Sequence, residues 1–170
     1  MKRLFVAVLL FISQYSFAQL EVTRDASGNK VLKGFISKKE ISTDTAFAWY
    51  AQNQKGYTPG PEVIQQYAAN KDSVNFIVFG GTWCDDTKNL LPKFYAAIDA
   101  AGFPDNRITL IGVDRSKKTL YNLSEAFGIT NVPTFIVMKN GKEVGRVVEY
   151  GKIGSPEKEV AEIITNASKK

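Results

Sequence analysis

The 170-residue sequence contains no histidine and a single cysteine, Cys84. The lack of histidine removes the commonest general base and metal ligand, and it excludes Ser-His-Asp and Cys-His nucleophilic systems. One cysteine can form neither a disulfide within the chain nor a metal site built from several thiolates. We therefore expect no metal and no cofactor. Any chemistry must come from carboxylates, lysines, hydroxyl groups or the one thiol.

The sequence also lacks a strongly basic region. Its formal net charge is +5, and its lysine pairs are scattered, without the interleaved aromatic residues typical of a nucleic-acid surface. We therefore expect solvated lysines and no nucleic-acid partner. With 44% hydrophobic and 23% charged residues, the composition is typical of a soluble globular protein. The length suits one domain with an extension.

Residues 1–18 have the layout of a secretory signal peptide. Two basic residues precede an unbroken apolar run at 4–12, and small residues follow at Ser16 and Ala18. The run is too short to span a bilayer as a stable helix. The pattern predicts cleavage before Gln19, export to the periplasm or secretion, and no membrane association after cleavage. An uncleaved anchor or a buried core segment is the alternative.

Residues 19–60 are interpreted as an N-terminal extension that packs on the domain that follows. A turn at 26–29 precedes a predicted strand from residue 31 to residue 37. Residues 42–44 are candidate caps for a helix with one apolar face. The residues on that face are Ala46, Trp49 and Tyr50. We expect this face to pack into the core, and an exposed docking surface is the alternative.

Residues 61–170 alternate between strand and helix patterns. Apolar residues spaced three and four apart predict helices, short apolar runs predict buried strands, and Asn140-Gly141 predicts a tight hairpin. The predicted helices are 61–69, 84–101, 120–127 and one starting at 155–156, and the predicted strands are 74–79, 108–113, 134–138 and 143–149. This order predicts an α/β fold, with a central mixed β-sheet flanked by helices.

Several separated motifs resemble the thioredoxin superfamily. The tryptophan–cysteine pair at 83–84 opens a predicted helix after a buried strand, and Pro92 lies eight residues after the cysteine. Residues 127–135 resemble the segment that carries the superfamily's cis-proline, and residues 139–142 resemble the hairpin that follows it. The resemblance covers about residues 61–168. It implies a thioredoxin-like fold and thiol–disulfide exchange, in an exported bacterial type of protein.

The sequence departs from that superfamily in its number of thiols. The usual pattern is Cys-x-x-Cys, and Thr87 stands where the second cysteine would be. Thioredoxins carry a buried acid six residues before the nucleophile, and Val78 occupies that position here. The threonine that peroxiredoxins place three residues before the cysteine is replaced by Gly81. The chain therefore resembles a monothiol, Cys-x-x-Thr variant.

Cys84 is the predicted nucleophile, because the thiolate of a cysteine is its reactive form. The helix N-terminus favours the thiolate, and the charges of Asp85 and Asp86 oppose it by a similar amount. We expect the Thr87 hydroxyl to donate a hydrogen bond to the thiolate, which would give Thr87 a catalytic role. Asp85 and Asp86 either stabilise the first helical turn, which we favour, or relay protons. An inert buried thiol is the alternative for Cys84.

The resemblance also implies a substrate groove beside the cysteine. A cis bond before Pro133 would turn the chain next to Cys84 and expose the backbone of Val132. An extended substrate could pair there as an added strand and present its disulfide to the thiolate. Thr82, Trp83, Val132 and Pro133 are then expected to bind the substrate. A simple turn proline is the alternative.

Two functions fit these residues. In the first, Cys84 attacks a protein or small-molecule disulfide, and an outside thiol or a second substrate cysteine resolves the mixed disulfide. This chemistry suits isomerisation, removal of a small-thiol adduct and redox homeostasis. In the second, the fold is a non-catalytic binding module for extended peptides or partner proteins. We favour the first and expect a monomer, with a disulfide-linked dimer through Cys84 as the alternative.

Overall fold

One mixed sheet of six strands organises the computed structural model, which describes residues 19–169. The strands are β1 (Leu20–Arg24), β2 (Lys30–Ile36), β3 (Asn75–Gly80), β4 (Ile108–Gly112), β5 (Thr134–Lys139) and β6 (Lys142–Val148). Their order is β1-β2-β4-β3-β5-β6; β3 and β4 run parallel and every other neighbouring pair is antiparallel. The predicted fold class is thus confirmed. The predicted signal peptide lies outside the described residues.

Helices cover both faces of this sheet. They are α1 (Lys38–Thr43), α2 (Trp49–Lys55), α3 (Pro61–Asn70), α4 (Asp85–Ala100), α5 (Leu123–Ala126) and α6 (Pro156–Ser168). Successive side chains of a strand point to opposite faces, so Phe76 and Val78 enter the larger core while Phe79 packs against Phe127 on the other face. In the stretch from residue 19 to 169, no helix is both long enough and apolar enough to cross a membrane.

An aromatic cluster holds β3 against α4 in the larger core. The fully buried Phe76 ring meets the Phe94 ring edge to face, with centroids 5.3 Å apart. Phe94 in turn contacts Phe135 of β5, with centroids 5.0 Å apart. Aromatic pairs at these distances are attractive beyond the area that they bury. The cluster therefore packs the middle of α4 against β3 and β5.

The N-terminal extension is part of the sheet. The sequence predicts only that it packs on the domain that follows. Strand β1, which the sequence pattern does not reveal, pairs with β2, and β2 pairs with β4. The absence of a side chain at Gly112 allows this approach, because a Cβ there would lie 2.2 Å from the Leu32 carbonyl oxygen. The extension thus adds two strands on one side of β4. The carboxyl end of β4 packs in the same cluster as Cys84.

The helix predicted after residues 42–44 forms as a short 3-10 turn followed by α2, and the sequence pattern missed α1, which precedes them. Ser37 caps α1 through a capping box, whereas Asp44 caps a short 3-10 turn that precedes α2. Along the predicted apolar face, Tyr50 is buried, Trp49 is half-buried and Ala46 is exposed. Core packing therefore holds for the aromatic residues and fails for the alanine. Asp44 is thus confirmed as the cap of the predicted segment, whereas the other two candidates, Ser42 and Thr43, lie inside α1.

Candidate functional site

The single cysteine lies where β3 passes into α4. Cys84 occupies the N-cap position of α4 in an extended conformation, and its carbonyl accepts a hydrogen bond from the Lys88 amide at 3.0 Å. Its own amide donates to the Gly81 carbonyl at 2.9 Å, which closes a tight turn. The side chain is half-buried and free of any disulfide. The predicted placement of the thiol at a helix N-terminus is therefore confirmed.

The peptide bond between Val132 and Pro133 is cis, as the resemblance implies, and it lies beside the thiol. The Cys84 thiol donates a hydrogen bond to the Val132 carbonyl oxygen, with sulfur and oxygen 3.4 Å apart. The Val132 side chain is buried, so this residue offers its backbone to the site. The structure thus brings together three predicted site residues, Cys84, Val132 and Pro133.

The Thr87 hydroxyl has a different partner from the predicted one. Thr87 is buried, and its hydroxyl oxygen accepts a hydrogen bond from the Gly81 amide at 3.2 Å. Among the hydrogen bonds of residues 19–169, none joins Thr87 to Cys84. The physical reason is that Thr87 lies on the first turn of α4, on the side that faces the end of β3. In this structure Thr87 therefore braces the turn before the cysteine.

Thr82 is held by the sheet through its hydroxyl. Its buried hydroxyl donates to the Lys30 carbonyl at 3.0 Å and accepts from the Leu32 amide at 3.2 Å. A hydroxyl with both a donor and an acceptor partner in the protein has little capacity left for a substrate. Thr82 ties the cysteine loop to β2, and hence to the N-terminal extension.

Trp83 covers the turn and faces the end of β4. Its indole N–H donates to the Val113 carbonyl at 2.9 Å, and the guanidinium carbon of Arg115 lies 5.1 Å from the ring centroid. Gly81 is required below the ring, because a Cβ there would approach the indole to 2.7 Å. Sequence reasoning missed Val113 and Arg115 as site residues. The signal was available, because the carboxyl ends of the parallel strands β3 and β4 meet at one sheet edge.

The two acids after the cysteine differ in their surroundings. The Asp85 side chain is 93% exposed and forms an ion pair with Lys88 at 2.8 Å. The Lys88 hydrogen bond holds the pKa of the Asp85 carboxyl below its usual value, and the charge of Arg115 adds to this effect. Asp86 is half-buried. The lowered pKa favours the ionised Asp85 carboxylate, which fits the favoured role in stabilising the first helical turn better than a proton relay.

The acidic residues and the cysteine of the described region are too dispersed to form a metal site. Between residues 19 and 169, no three cysteine, aspartate or glutamate side chains cluster as a metal site would require. What the arrangement offers is one accessible sulfur with a backbone carbonyl at its side. That pairing allows covalent attachment to a second sulfur, with an extended chain aligned along the cis-proline segment.

Comparison with known proteins identifies the family. The sequence model of the family described as Thioredoxin matches residues 61–164, which is more than half of the chain. The chain belongs to the thioredoxin family. The matched region includes the whole site around Cys84 and the cis-proline.

Relatives with known names are thioredoxins. The chain is 33% identical over 76 residues to a thioredoxin of Echinococcus granulosus, which covers 45% of this chain and 65% of that protein. It is 34% identical over 88 residues to thioredoxin H2-2 of Oryza sativa subsp. japonica, covering 49% of this chain and 60% of that protein. The chain thus spans slightly less than two thirds of the length of these relatives.

Two solved structures are compared with the fold. A protein of unknown function from Pseudomonas aeruginosa superposes with a TM-score of 0.53 at 15% identity, over 75% of this chain and 89% of that one. The thioredoxin of Fasciola hepatica gives a TM-score of 0.42 at 26% identity, over 60% of this chain and 88% of that one. The first comparison shows a shared fold and nothing about function.

This thioredoxin-family chain departs from the usual site at two buried positions. Val78, at the place of the superfamily's buried acid, is fully enclosed in the core, and Thr87 replaces the second cysteine. Neither side chain can accept a proton from a thiol at neutral pH or attack a disulfide. The family's ordinary dithiol cycle therefore lacks both its resolving thiol and its buried acid here.

Proposed function

We propose that this protein is a monothiol member of the thioredoxin family that exchanges thiols with disulfides through Cys84. The observation that carries the proposal is the position of its sulfur, half-buried at the start of α4 and 3.4 Å from the carbonyl before the cis-proline. An inert structural cysteine would lie inside the core. This sulfur is half-buried just after the carboxyl end of β3, next to the cis-proline segment along which an extended substrate can align.

The proposed reaction needs an outside thiol. The Cys84 thiolate attacks one sulfur of a substrate disulfide, a new S–S bond forms, the old S–S bond breaks, and the departing sulfur leaves as a thiolate that takes up a proton. A thiol of a second molecule, or another cysteine of the substrate, then attacks the mixed disulfide and restores Cys84. This scheme suits isomerisation or removal of a small-thiol adduct, and its partners are protein or small-molecule thiols and disulfides.

The proposal includes a location outside the cytoplasm. It is supported by the residue pattern of 1–18, with its basic start, apolar run and small residues before Gln19. We expect expression in a Gram-negative host to give a periplasmic protein. Mass spectrometry of that protein should find a chain that begins at Gln19. A full-length chain retained in the cytoplasm would contradict export, and a full-length chain in the membrane fraction would indicate an uncleaved anchor.

Alkylation kinetics test the proposed reactivity of Cys84. At pH 7 we expect iodoacetamide to modify Cys84 about twofold faster than an exposed reference cysteine. The helix N-terminus stabilises a thiolate by about 0.3–1 kcal/mol, and the ion pair of Asp85 with Lys88 weakens one of the two acidic charges that oppose it. The reference is the double variant Cys84→Ser/Ser42→Cys, in which the thiol is exposed on α1. The measurement is the second-order rate constant between pH 5 and 9, with Cys84→Ser as the blank.

A second candidate, a non-catalytic binding module, is favoured by one contact. The Val132 carbonyl can accept only from a protonated thiol, so the bond from Cys84 favours the neutral, less reactive form. If this contact dominates, Cys84 will react no faster than the reference cysteine and will trap no partner as a mixed disulfide. That pair of results would replace the exchange proposal with the binding module.

A further inference from the structure

Arg115, which follows β4, is held in place by the N-terminal extension. Its Nε and Nη2 atoms both donate to the Oδ2 atom of Asp25, at 3.1 Å and 2.6 Å. The Asp25 carboxylate is 4% exposed, and its Oδ1 atom accepts from the amides of Ser27 and Asn29 at 2.9 Å each. These donors hold the pKa of the Asp25 carboxyl well below its usual range, with Arg115 making the largest contribution. Asp25 is thus a permanent, pre-formed anchor for the guanidinium.

The turn that carries Arg115 is also well defined. The Asp114 carboxylate accepts hydrogen bonds from the amides of Ser116 and Lys118 at 2.9 Å and 3.0 Å. The Asp114 amide donates to the Lys118 carbonyl at 2.9 Å, which closes the turn. Such side-chain-to-backbone bonds fix a loop locally. The direction of the Arg115 side chain is therefore set at its base by the turn and at its tip by Asp25.

The Arg115 guanidinium lies over the ring of Trp83, which precedes the cysteine, and its charge acts on Asp85, which follows the cysteine. Its carbon is 5.1 Å from the Trp83 ring centroid, a cation–π contact, and its charge contributes to the lowered pKa of Asp85. The Arg115 side chain is 54% exposed, and among the hydrogen bonds of residues 19–169 none uses its Nη1 atom. Three of its five N–H donors, two on Nη1 and one on Nη2, therefore remain for a ligand at the mouth of the site.

From this geometry we infer that Arg115 is a specificity-determining residue, which favours disulfides with a carboxylate close to the sulfur that Cys84 attacks. The inference rests on the proposed function and deepens it. A guanidinium is the side chain best suited to bind a carboxylate through paired N–H donors. The carboxylate can belong to an acidic peptide or to a small acidic thiol.

Stability alone does not explain this arrangement. An ion pair with one partner half exposed contributes little to the stability of a protein. The pair instead gives a cation a fixed direction at the site, and the anchor comes from the β1–β2 turn, outside the region that matches the family. The extension would thus have a part in substrate choice.

Two pairs of disulfides test the inference through the ratio of their rates. The first pair is 5,5′-dithiobis(2-nitrobenzoate), which carries carboxylates, and the neutral 2,2′-dithiodipyridine. The second pair is a pyridylthio-cysteine peptide with glutamate beside the cysteine, and the same peptide with glutamine. In each reaction the Cys84 thiolate forms one mixed disulfide and releases one coloured thiolate or thione. Because both members of a pair meet the same thiolate, the ratio of their rates is independent of how much thiolate is present.

Three variants distinguish a specific effect of the Arg115 guanidinium from a general effect of positive charge on the protein surface. We expect Arg115→Gln to lower the acidic-to-neutral rate ratio about three- to fivefold at low ionic strength. This follows from the attraction of unit charges about 6 Å apart at a water-like effective dielectric constant of about 60–80. Asp25→Asn keeps the guanidinium but removes both its anchor and the negative charge paired with it. These two effects oppose each other, so the ratio should fall less than in Arg115→Gln or stay at the parent value. Lys142→Gln removes an exposed charge at the opposite end of the sheet and should leave the ratio unchanged.

Each outcome of these assays decides something. A fall with both pairs supports recognition of the carboxylate from either source, a fall with the peptides alone assigns an acidic peptide, and a fall with the small disulfides alone assigns a small acidic thiol. An unchanged ratio in Arg115→Gln for both pairs overturns the inference and leaves the exchange reaction intact. The same fall in Lys142→Gln would also overturn it.

A binding measurement keeps the inference testable if Cys84 does not react. In the Cys84→Ser variant, titration with glutarate should shift the Trp83 indole signal in a ¹⁵N NMR spectrum, whereas neutral glutaramide should not. Adding Arg115→Gln should reduce the shift about threefold or more, since the charge of the guanidinium provides most of the attraction. No glutarate-dependent shift, or an equal shift without Arg115, would overturn the inference regardless of catalysis.

Discussion

Thr87→Cys is expected to convert the protein from a negligible into a measurable reductant of insulin with dithiothreitol, with a gain of about tenfold or more. The reason is that a thiol on the same chain attacks the mixed disulfide at an effective concentration far above that of an outside thiol. Thr87 lies three residues after Cys84, within the first turn of α4. Its hydroxyl contacts the Gly81 amide, in the turn that precedes the cysteine.

The electrons in this experiment come from dithiothreitol. The thiol introduced at position 87 attacks the Cys84 sulfur, releases the second insulin thiol and leaves a disulfide between positions 84 and 87, which dithiothreitol reduces. The measurement is the rate of insulin precipitation above the rate with dithiothreitol alone.

Two controls isolate the role of the second thiol. Thr87→Ser keeps the hydroxyl that accepts from Gly81 and should stay as inactive as the parent protein. Thr87→Cys combined with Cys84→Ser has one thiol at the other position and should also be inactive. Brisk insulin reduction by the parent protein would contradict the argument that it cannot resolve its own mixed disulfide.

Phe76→Ala is expected to lower the free energy of unfolding by about 3–5 kcal/mol, the cost of removing a large aromatic side chain from a packed core. Phe76 is fully buried, with its ring centroid 4.9 Å from that of Phe103 and 5.7 Å from that of Tyr67. A loss of this size is a large share of the 5–15 kcal/mol that is typical of a domain. Urea unfolding followed by circular dichroism measures it.

Phe35→Ala is the matched control for this change. Phe35 lies on β2 and is 37% exposed, so its removal should cost less than about 1 kcal/mol. Equal losses in the two variants would show that the aromatic cluster between β3 and α4 does not dominate the core.

Local sequence signals predicted the elements around the site well. Pro61 opens α3, and the run before the cysteine forms β3. The predicted Asn140-Gly141 turn has positive φ at both residues, 52° and 74°, as a two-residue hairpin turn requires. These signals work because each depends on the conformational preferences of a few adjacent residues.

Strand β1 was missed for an equally physical reason. Val22 is 53% exposed, and all residues of β1 after Leu20 face solvent. An edge strand with most of its side chains in water needs no apolar alternation, so its sequence carries little strand signal. Only its pairing with β2 reveals it.

The sequence by itself determined the number of thiols and the local structure around the one cysteine. Cys84 lies at the start of a helix after a buried strand and has no second cysteine to resolve a mixed disulfide. The tertiary structure decided which groups surround that sulfur. It directs the Thr87 hydroxyl to Gly81 and brings Asp25 to Arg115 across 90 positions of sequence. Contacts between residues so far apart depend on the pairing of whole strands, and no local propensity encodes them.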